Sequence, residues 1–134
     1  MTVGIVLVSH SPALAGAAAE LAAALAGPEV TIKAAGGTDD GRFGTSIELI
    51  QAAVTEADSG DGVCVLMDMG SSVLTAKTLL EDLEDSEPGD APVVRLADAP
   101  FVEGAVAAAV LASTGQGLGT VVDSAEQAWA MRKL

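Results

Sequence analysis

Four short apolar runs punctuate the chain, Val3–Val8, Val30–Ala34, Val63–Asp68 and Pro92–Leu96. Their starts lie about 30 residues apart, the length of a strand, a helix and two loops. The first and third (VGIVLV, VCVLMD) are apolar without alternation, as in strands buried on both faces of a parallel sheet. Between the runs the period becomes helical. Leu14, Ala18, Leu21 and Leu25 share one stripe, and Ile47, Ile50, Val54 and Ala57 a second. Val73, Ala76, Leu80 and Leu83 make a third, and Val102, Ala105, Val106, Ala109 and Val110 a fourth. A last segment, Thr120 to Arg132, sets Val121, Val122, Ala125, Ala128 and Trp129 at helical spacing behind a threonine cap. This alternation predicts an α/β fold, a three-layer, doubly wound open sheet that is mainly parallel. No Pro/Ser-rich linker interrupts it, so residues 1–134 read as a single domain.

The punctuation agrees. Ser11 and Pro12 suit the cap and first turn of the first helix, and Ser71 or Ser72 the cap of the third. Asp39 and Asp40 suggest a metal pair but are better explained as a turn with Gly41. The glycine-rich segment at 115–119 follows a helix instead of a strand, so it reads as a helix stop and turn, not a phosphate loop. The acidic stretch Glu81–Asp90 reads as a helix end and a solvated loop.

Composition narrows the function. Half the 134 residues are hydrophobic, and a chain of this size buries roughly two-thirds of its unfolded surface, so no covalent staple is needed. Cys64 is the only cysteine and sits mid-run as a small buried hydrophobe, which fits a reducing, cytoplasmic home. Met67 and Met69 read as core and rim filling. Six Lys/Arg against 19 Asp/Glu give a net charge of −13, against sequence-independent binding to nucleic acid or to an anionic membrane. Phe43, Phe101 and Trp129, the only aromatics, make no stacking platform for bases. The first Lys or Arg is Lys33, and Glu20 breaks the apolar start, so neither a signal peptide nor a membrane span is expected. His10 is the only histidine, which excludes chemistry needing two imidazoles from one chain.

In open α/β sheets ligands bind outside the carboxyl ends of the strands, at the point where strand order switches. His10 follows the first run and Asp68 closes the third. With strand order 2-1-3-4 the two ends are neighbours. The helix starts behind them would turn N–H groups toward the same volume, a site suited to a phosphoryl group. Gly70 lets the backbone approach, and the Ser9, Ser11, Ser71 and Ser72 hydroxyls add donors. Gly37, Thr38 and Thr45 lie in glycine-rich loops that can close over it. A neutral imidazole is a competent nucleophile near pH 7, and a carboxylate bonded to one ring nitrogen leaves the other to attack. Asp68 can serve His10 in this way, or the pair can act as general base and orienter. A hydrolase would need a further nucleophile or a metal, and no cluster of Asp, Glu and Cys stands at ligand spacing.

Val8-Ser-His-Ser11 followed by Leu14-Ala-Gly16 is similar to the start of the phosphotransfer subunit of PEP-dependent dihydroxyacetone kinases. Ala35-Gly-Gly-Thr-Asp39 with Gly44-Thr45, Leu66-Met-Asp-Met-Gly-Ser-Ser72 and Ala99-Pro-Phe-Val-Glu-Gly104 resemble that family's later motifs, in order. The likeness runs from Val3 to about Ser113. It implies a fold like the mannose-class IIA domains of the sugar phosphotransferase system, strand order 2-1-3-4, and a homodimer. It further implies that His10 takes a phosphoryl group from the phosphocarrier HPr, itself charged by PEP through Enzyme I. His10 would pass the group to ADP on the nucleotide-binding kinase subunit, and the ATP formed would phosphorylate dihydroxyacetone on a third subunit. Asp68 stands in the place of the family's His-orienting carboxylate. No cofactor is then held by this chain, since ADP and ATP stay on the partner.

Two other readings compete. A IIA component of a mannose-class sugar transporter shares fold and phosphohistidine, but typically carries Gly-Gly-Ser-Pro where this chain has Gly70-Ser-Ser-Val73, and Thr-His-Gly where it has Ser-His-Ser. A non-catalytic small-molecule-binding or regulatory α/β domain is the second, since fold alone never fixes function. A phospho-accepting receiver would need an acidic pair after the first strand, where Ser9-His10 stands.

Overall fold

A computed structural model describes residues 1–86, 89 and 91–134. The elements alternate as β1 (Gly4–Ser9), α1 (Pro12–Ala26), β2 (Ile32–Gly36), α2 (Ile47–Ala57), β3 (Val63–Met67), α3 (Ser71–Glu84), β4 (Val94–Leu96), α4 (Phe101–Ser113) and α5 (Leu118–Gln127), closed by a 3₁₀ turn at Ala128–Ala130. The sheet is parallel throughout, in the order β2-β1-β3-β4. β1 and β2 begin one and two residues later than their apolar runs, and β3 and β4 are shorter than theirs. Val30 is buried ahead of β2, and β4 keeps only its last three residues.

Two apolar layers sandwich the sheet. Ile5, Leu7, Cys64 and Leu66 face α1, α4 and α5, while Val6, Val8, Val63 and Val65 face α2 and α3. Strands covered on both sides need no polar alternation. The helix facing side differs from the periodicity in α1 and, at the exposed Val102 and Val110, in α4. Leu14, Leu21 and Leu25 point outward, and α1 packs through Ala15, Ala18 and Ala22. Alanine lets a helix approach its neighbour closely, and α4 answers with its own small face of Gly104, Ala105, Ala108, Ala109 and Ala112. The apolar residues of α1 and α4 outnumber the positions that face the sheet, so the longer side chains are left outside.

The last helix starts earlier than its pattern suggests, at Leu118 behind Gly117 and without a side-chain cap, and Trp129 lies exposed in the 3₁₀ turn. Gly115, with φ +83°, makes the expected turn between α4 and α5. Of the acidic stretch Glu81–Asp90, Glu81, Asp82, Glu84 and Asp85 are exposed at the end of α3, and Glu87, Pro88 and Asp90 lie outside the described residues. Among the described residues no helix is long and apolar enough to cross a membrane.

Candidate active site

The register Val8↔Met67 carries the β1–β3 pairing to the end of both strands, and the Asp68 N–H donates to Val8 O at 3.0 Å. Here the connections diverge. β1 leads into α1 on one face of the sheet, β3 into α3 on the other, and the crevice opens between them. The strand ends hold His10 and Asp68 on its two walls.

Asp68 grips His10 twice. Its Oδ1 and Oδ2 lie 3.1 and 3.3 Å from ring Nδ1, and Oδ2 also accepts from the His10 backbone N–H at 3.1 Å. The buried Ser9 hydroxyl donates to Oδ2 at 2.9 Å, and the Met69 N–H to Oδ1 at 2.7 Å. Partial burial pushes this carboxyl up, but hydrogen bonds from Ser72, the His10 and Met69 N–H groups and Ser9 outweigh it and hold Asp68 at about 2. A carboxylate fixed in its charged form accepts only, so Nδ1 carries the ring proton and Nε2 keeps its lone pair.

Nε2 meets the Ser71 hydroxyl at 2.8 Å, and the Ser72 hydroxyl lies 3.3 Å from Nδ1. The serine expected to cap α3 therefore does not. Gly70 is the cap residue, at φ +52°, and no side chain caps the helix, because both hydroxyls are turned onto the histidine. A Cβ at Gly70 would stand 4.0 Å from His10 Cε1, so the need for glycine there is conformational. The α3 start thus presents its positive helix-dipole end without a side-chain cap, its Ser72 and Val73 N–H groups turned back onto Met69 O and Gly70 O.

The other candidates sort differently. Ser11 does cap α1, accepting from the Leu14 N–H at 3.1 Å, and Pro12 takes the first turn, so that end carries the side-chain cap that α3 lacks. Ser9 is spent on Asp68 and on the Ser11 N–H. Ser9 thus positions the carboxylate and the backbone ahead of α1, while the Ser11 oxygen caps that helix. The Gly37 N–H donates to Ser9 O, and the Gly44 N–H to His10 O at 3.0 Å, which clamps the 37–44 loop to the strand end. The Thr38 hydroxyl is shared between the Asp40 carboxylate and the Arg42 N–H. Asp39 bonds Ser46 and Asp40 pairs with Arg42, so the acidic pair serves the turn. Thr45 reaches the site through Ser71 at 3.5 Å, backed by Thr75 at 3.0 Å. Sequence reasoning missed Thr75, though it lies four residues after Ser71 and hence on the same helix face.

Beside Asp68 an open cleft of about 530 Å³ runs between α3 and α4, lined by Val73, Lys77, Leu96, Pro100, Phe101 and Trp129 among others. The Trp129 indole N–H holds its far wall through Asp98 O at 2.8 Å. Cys64 is buried away from the site, its thiol pushed up to about 12 by burial and by Glu126. No group of three or more His, Cys, Asp or Glu gathers in metal-binding array among the described residues.

Residues 4–122 match the family model described as the PTS system fructose IIA component. The chain belongs to that family. It is 42% identical, over 98% of its length, to the phosphoryl donor subunit DhaM of PEP-dependent dihydroxyacetone kinase from Pantoea ananatis, of which it spans only 28%. A subunit of the same description from Listeria innocua is 36% identical over 81% of this chain and 84% of its own. The family resemblance carried by the sequence motifs is thereby borne out, and so is the fold. The crystal structure of a protein of unknown function superposes with a TM-score of 0.82 at 33% identity, covering 95% of each chain.

Proposed function

We propose that this chain is the phosphoryl carrier of a PEP-dependent dihydroxyacetone kinase, with His10 as the residue phosphorylated. The observation that carries the reading is the division of the imidazole. Asp68 fixes Nδ1, and Nε2 is turned toward Ser71 at an uncapped helix start.

Transfer in would run from the phosphohistidine of HPr. The Nε2 lone pair attacks phosphorus in line, the donor's N–P bond breaks and its ring nitrogen recovers the electron pair. His10 then carries a proton on Nδ1 and phosphorus on Nε2, a cationic ring that Asp68 stabilises without taking the proton. Ser71 must turn its O–H from Nε2 to a phosphoryl oxygen, which a side chain at a helix start can do. Phosphoryl transfer asks for positioning and charge stabilisation and little else. Transfer out reverses the step. A β-phosphate oxygen of ADP held on the kinase subunit attacks phosphorus, the Nε2–P bond breaks, and the ATP formed phosphorylates dihydroxyacetone on the third subunit. The chain needs no cofactor of its own in this scheme; that it works as a homodimer in the cytoplasm rests on the family resemblance and the single, buried cysteine.

The deciding experiment is the intact mass after incubation with PEP, Enzyme I and HPr, beside His10→Ala. One acid-labile phosphoryl group, absent from the variant, is expected; no added mass with active donors would leave a regulatory or ligand-binding domain. The family description favours one further reading, a IIA component of a sugar transporter. Chasing the phosphorylated chain with the ADP-loaded kinase subunit and dihydroxyacetone separates the two.

A further inference from the structure

We propose that Ser71, His10 and Asp68 act in series as nucleophile, general base and orienting carboxylate, which gives the unphosphorylated chain an ester hydrolase activity beyond the carrier role. Three contacts carry it. Ser71 Oγ lies 2.8 Å from Nε2, Nδ1 lies 3.1 Å from Asp68 Oδ1, and the Thr45 hydroxyl donates to Ser71 Oγ at 3.5 Å. Asp68 keeps the ring proton on Nδ1, so the Ser71 O–H donates to Nε2, the bond that activates a serine. The carboxylate is itself held by the Ser9 hydroxyl and by the His10 and Met69 N–H groups, so the series ends on a fixed acceptor. A hydrolase needs a nucleophile besides the imidazole, and Ser71 supplies it. It stands at the turn from β3 into α3, just after Gly70 at φ +52°, and is exposed beside a ring that is itself 28% exposed.

As Oγ attacks the acyl carbon of an ester, its proton passes to Nε2 and the carbonyl oxygen takes the negative charge. The Ser72 and Val73 N–H groups are bonded to Met69 O and Gly70 O, whereas those of Gly70 and Ser71 bond no acceptor among the described residues and are the donors left for the oxyanion. Nε2–H then protonates the departing alkoxide as its C–O bond breaks, which leaves acyl-Ser71. Water, giving its proton to Nε2, attacks the acyl carbon; the Oγ–C bond breaks, Oγ recovers the proton and the acid departs. The acyl class follows from the cleft that Asp68 and Val73 border, whose other walls include Leu96, Pro100, Phe101 and Trp129. Those walls are apolar, so esters of short apolar acids fit better than charged ones. The Nε2 lone pair serves one reaction at a time, so a phosphoryl group on His10 silences this one.

The test follows hydrolysis of p-nitrophenyl butyrate at pH 8, together with labelling by an alkyl fluorophosphonate mapped by peptide mass. In the labelling step the Ser71 Oγ–P bond forms as fluoride leaves and the Oγ proton passes to Nε2. We expect turnover by the unmodified chain and phosphonylation at Ser71. Ser71→Ala and His10→Ala should each lose at least about tenfold in kcat/KM, and the double variant no more than either, because the two residues act as one unit. Turnover retained in Ser71→Ala would overturn the proposal, since the imidazole would then be taking up the acyl group itself. So would the absence of turnover and label in the unmodified chain, or a label mapped to another residue. The carrier reading is decided separately, by phosphorylation of His10 from PEP, and its failure would leave each of these outcomes as informative as before.

Discussion

The Asp68 carboxylate holds His10 by its ring and by its backbone at once, with Oδ2 3.3 Å from Nδ1 and 3.1 Å from the backbone N–H. The side chain and its anchor point thus share one partner across the β1–β3 boundary. That grip sets the tautomer as well as the position, because an ionised carboxylate can only accept. In Asp68→Asn the amide can turn its NH₂ toward Nδ1 and draw the ring proton to Nε2. Phosphorylation of His10 should then slow by about 100-fold or more with the fold retained, measured by quenched-flow labelling and circular dichroism. A rate within a factor of two of the unmodified protein would remove Asp68 from the mechanism.

Ser71 and Ser72 divide their work between the two ring nitrogens. Ser71→Ala removes the exposed hydroxyl at Nε2, leaves the backbone of α3 in place and should slow phosphoryl transfer by about tenfold, as expected for one lost hydrogen bond. Thr75→Val should be milder, since it acts only through Thr45. Equal rates for Ser71→Ala and unmodified protein would mean that the phosphoryl group takes its donors elsewhere.

The same carboxylate makes stability depend on acid. The Asp68 carboxyl sits at about 2 in the folded chain against an ordinary value of 3.8, so the unfolded chain binds its proton first as pH falls. The stabilisation is complete above about pH 4 and is lost on going down through about pH 2. Urea midpoints of the unmodified protein should drop across this window more steeply than those of Asp68→Asn. Parallel pH profiles for the two proteins would contradict this.

Much of this was legible in the chain before any coordinate. Uninterrupted apolar runs identified the strands, and their ends placed His10 and Asp68 together as soon as the order 2-1-3-4 was adopted. Periodicity misjudged α1, because it ranks leucine above alanine, while close packing against α4 rewards the smaller side chain. Cap preference misjudged Ser71 and Ser72. A serine before a helix satisfies the rule, but these hydroxyls had a histidine within reach, and that competition is tertiary. Thr38 was named for its place in a glycine-rich loop, yet the neighbouring Asp40 and Arg42 take its hydroxyl. Which way a hydroxyl points depends on partners the sequence does not rank.

Gly37 offers a test of how the loop is clamped. Its φ is +75°, and a Cβ there would lie 2.6 Å from both Arg42 O and Pro12 Cγ. Backbone and a proline ring cannot yield as a flexible side chain would. Gly37→Ala should therefore cost about 1–3 kcal/mol in urea unfolding and slow His10 phosphorylation by displacing the strand end. Retained stability would show that the loop finds another path.

Cys64 reports on unfolding because it has no part in the chemistry. It is buried mid-strand in β3, with its thiol pushed up to about 12, so thiolate and access are both lacking in the folded chain. An aromatic disulfide reagent at pH 8 should react with it only as fast as the sheet opens, and at the ordinary thiol rate in urea. Phosphorylation of His10 should leave that labelling rate unchanged, since Cys64 faces the α1, α4 and α5 layer and the ring stands beyond the strand ends. A rate that changed on phosphorylation would mean that the charge on His10 is felt through the sheet, by way of the one strand that carries both Cys64 and, at its end, Asp68.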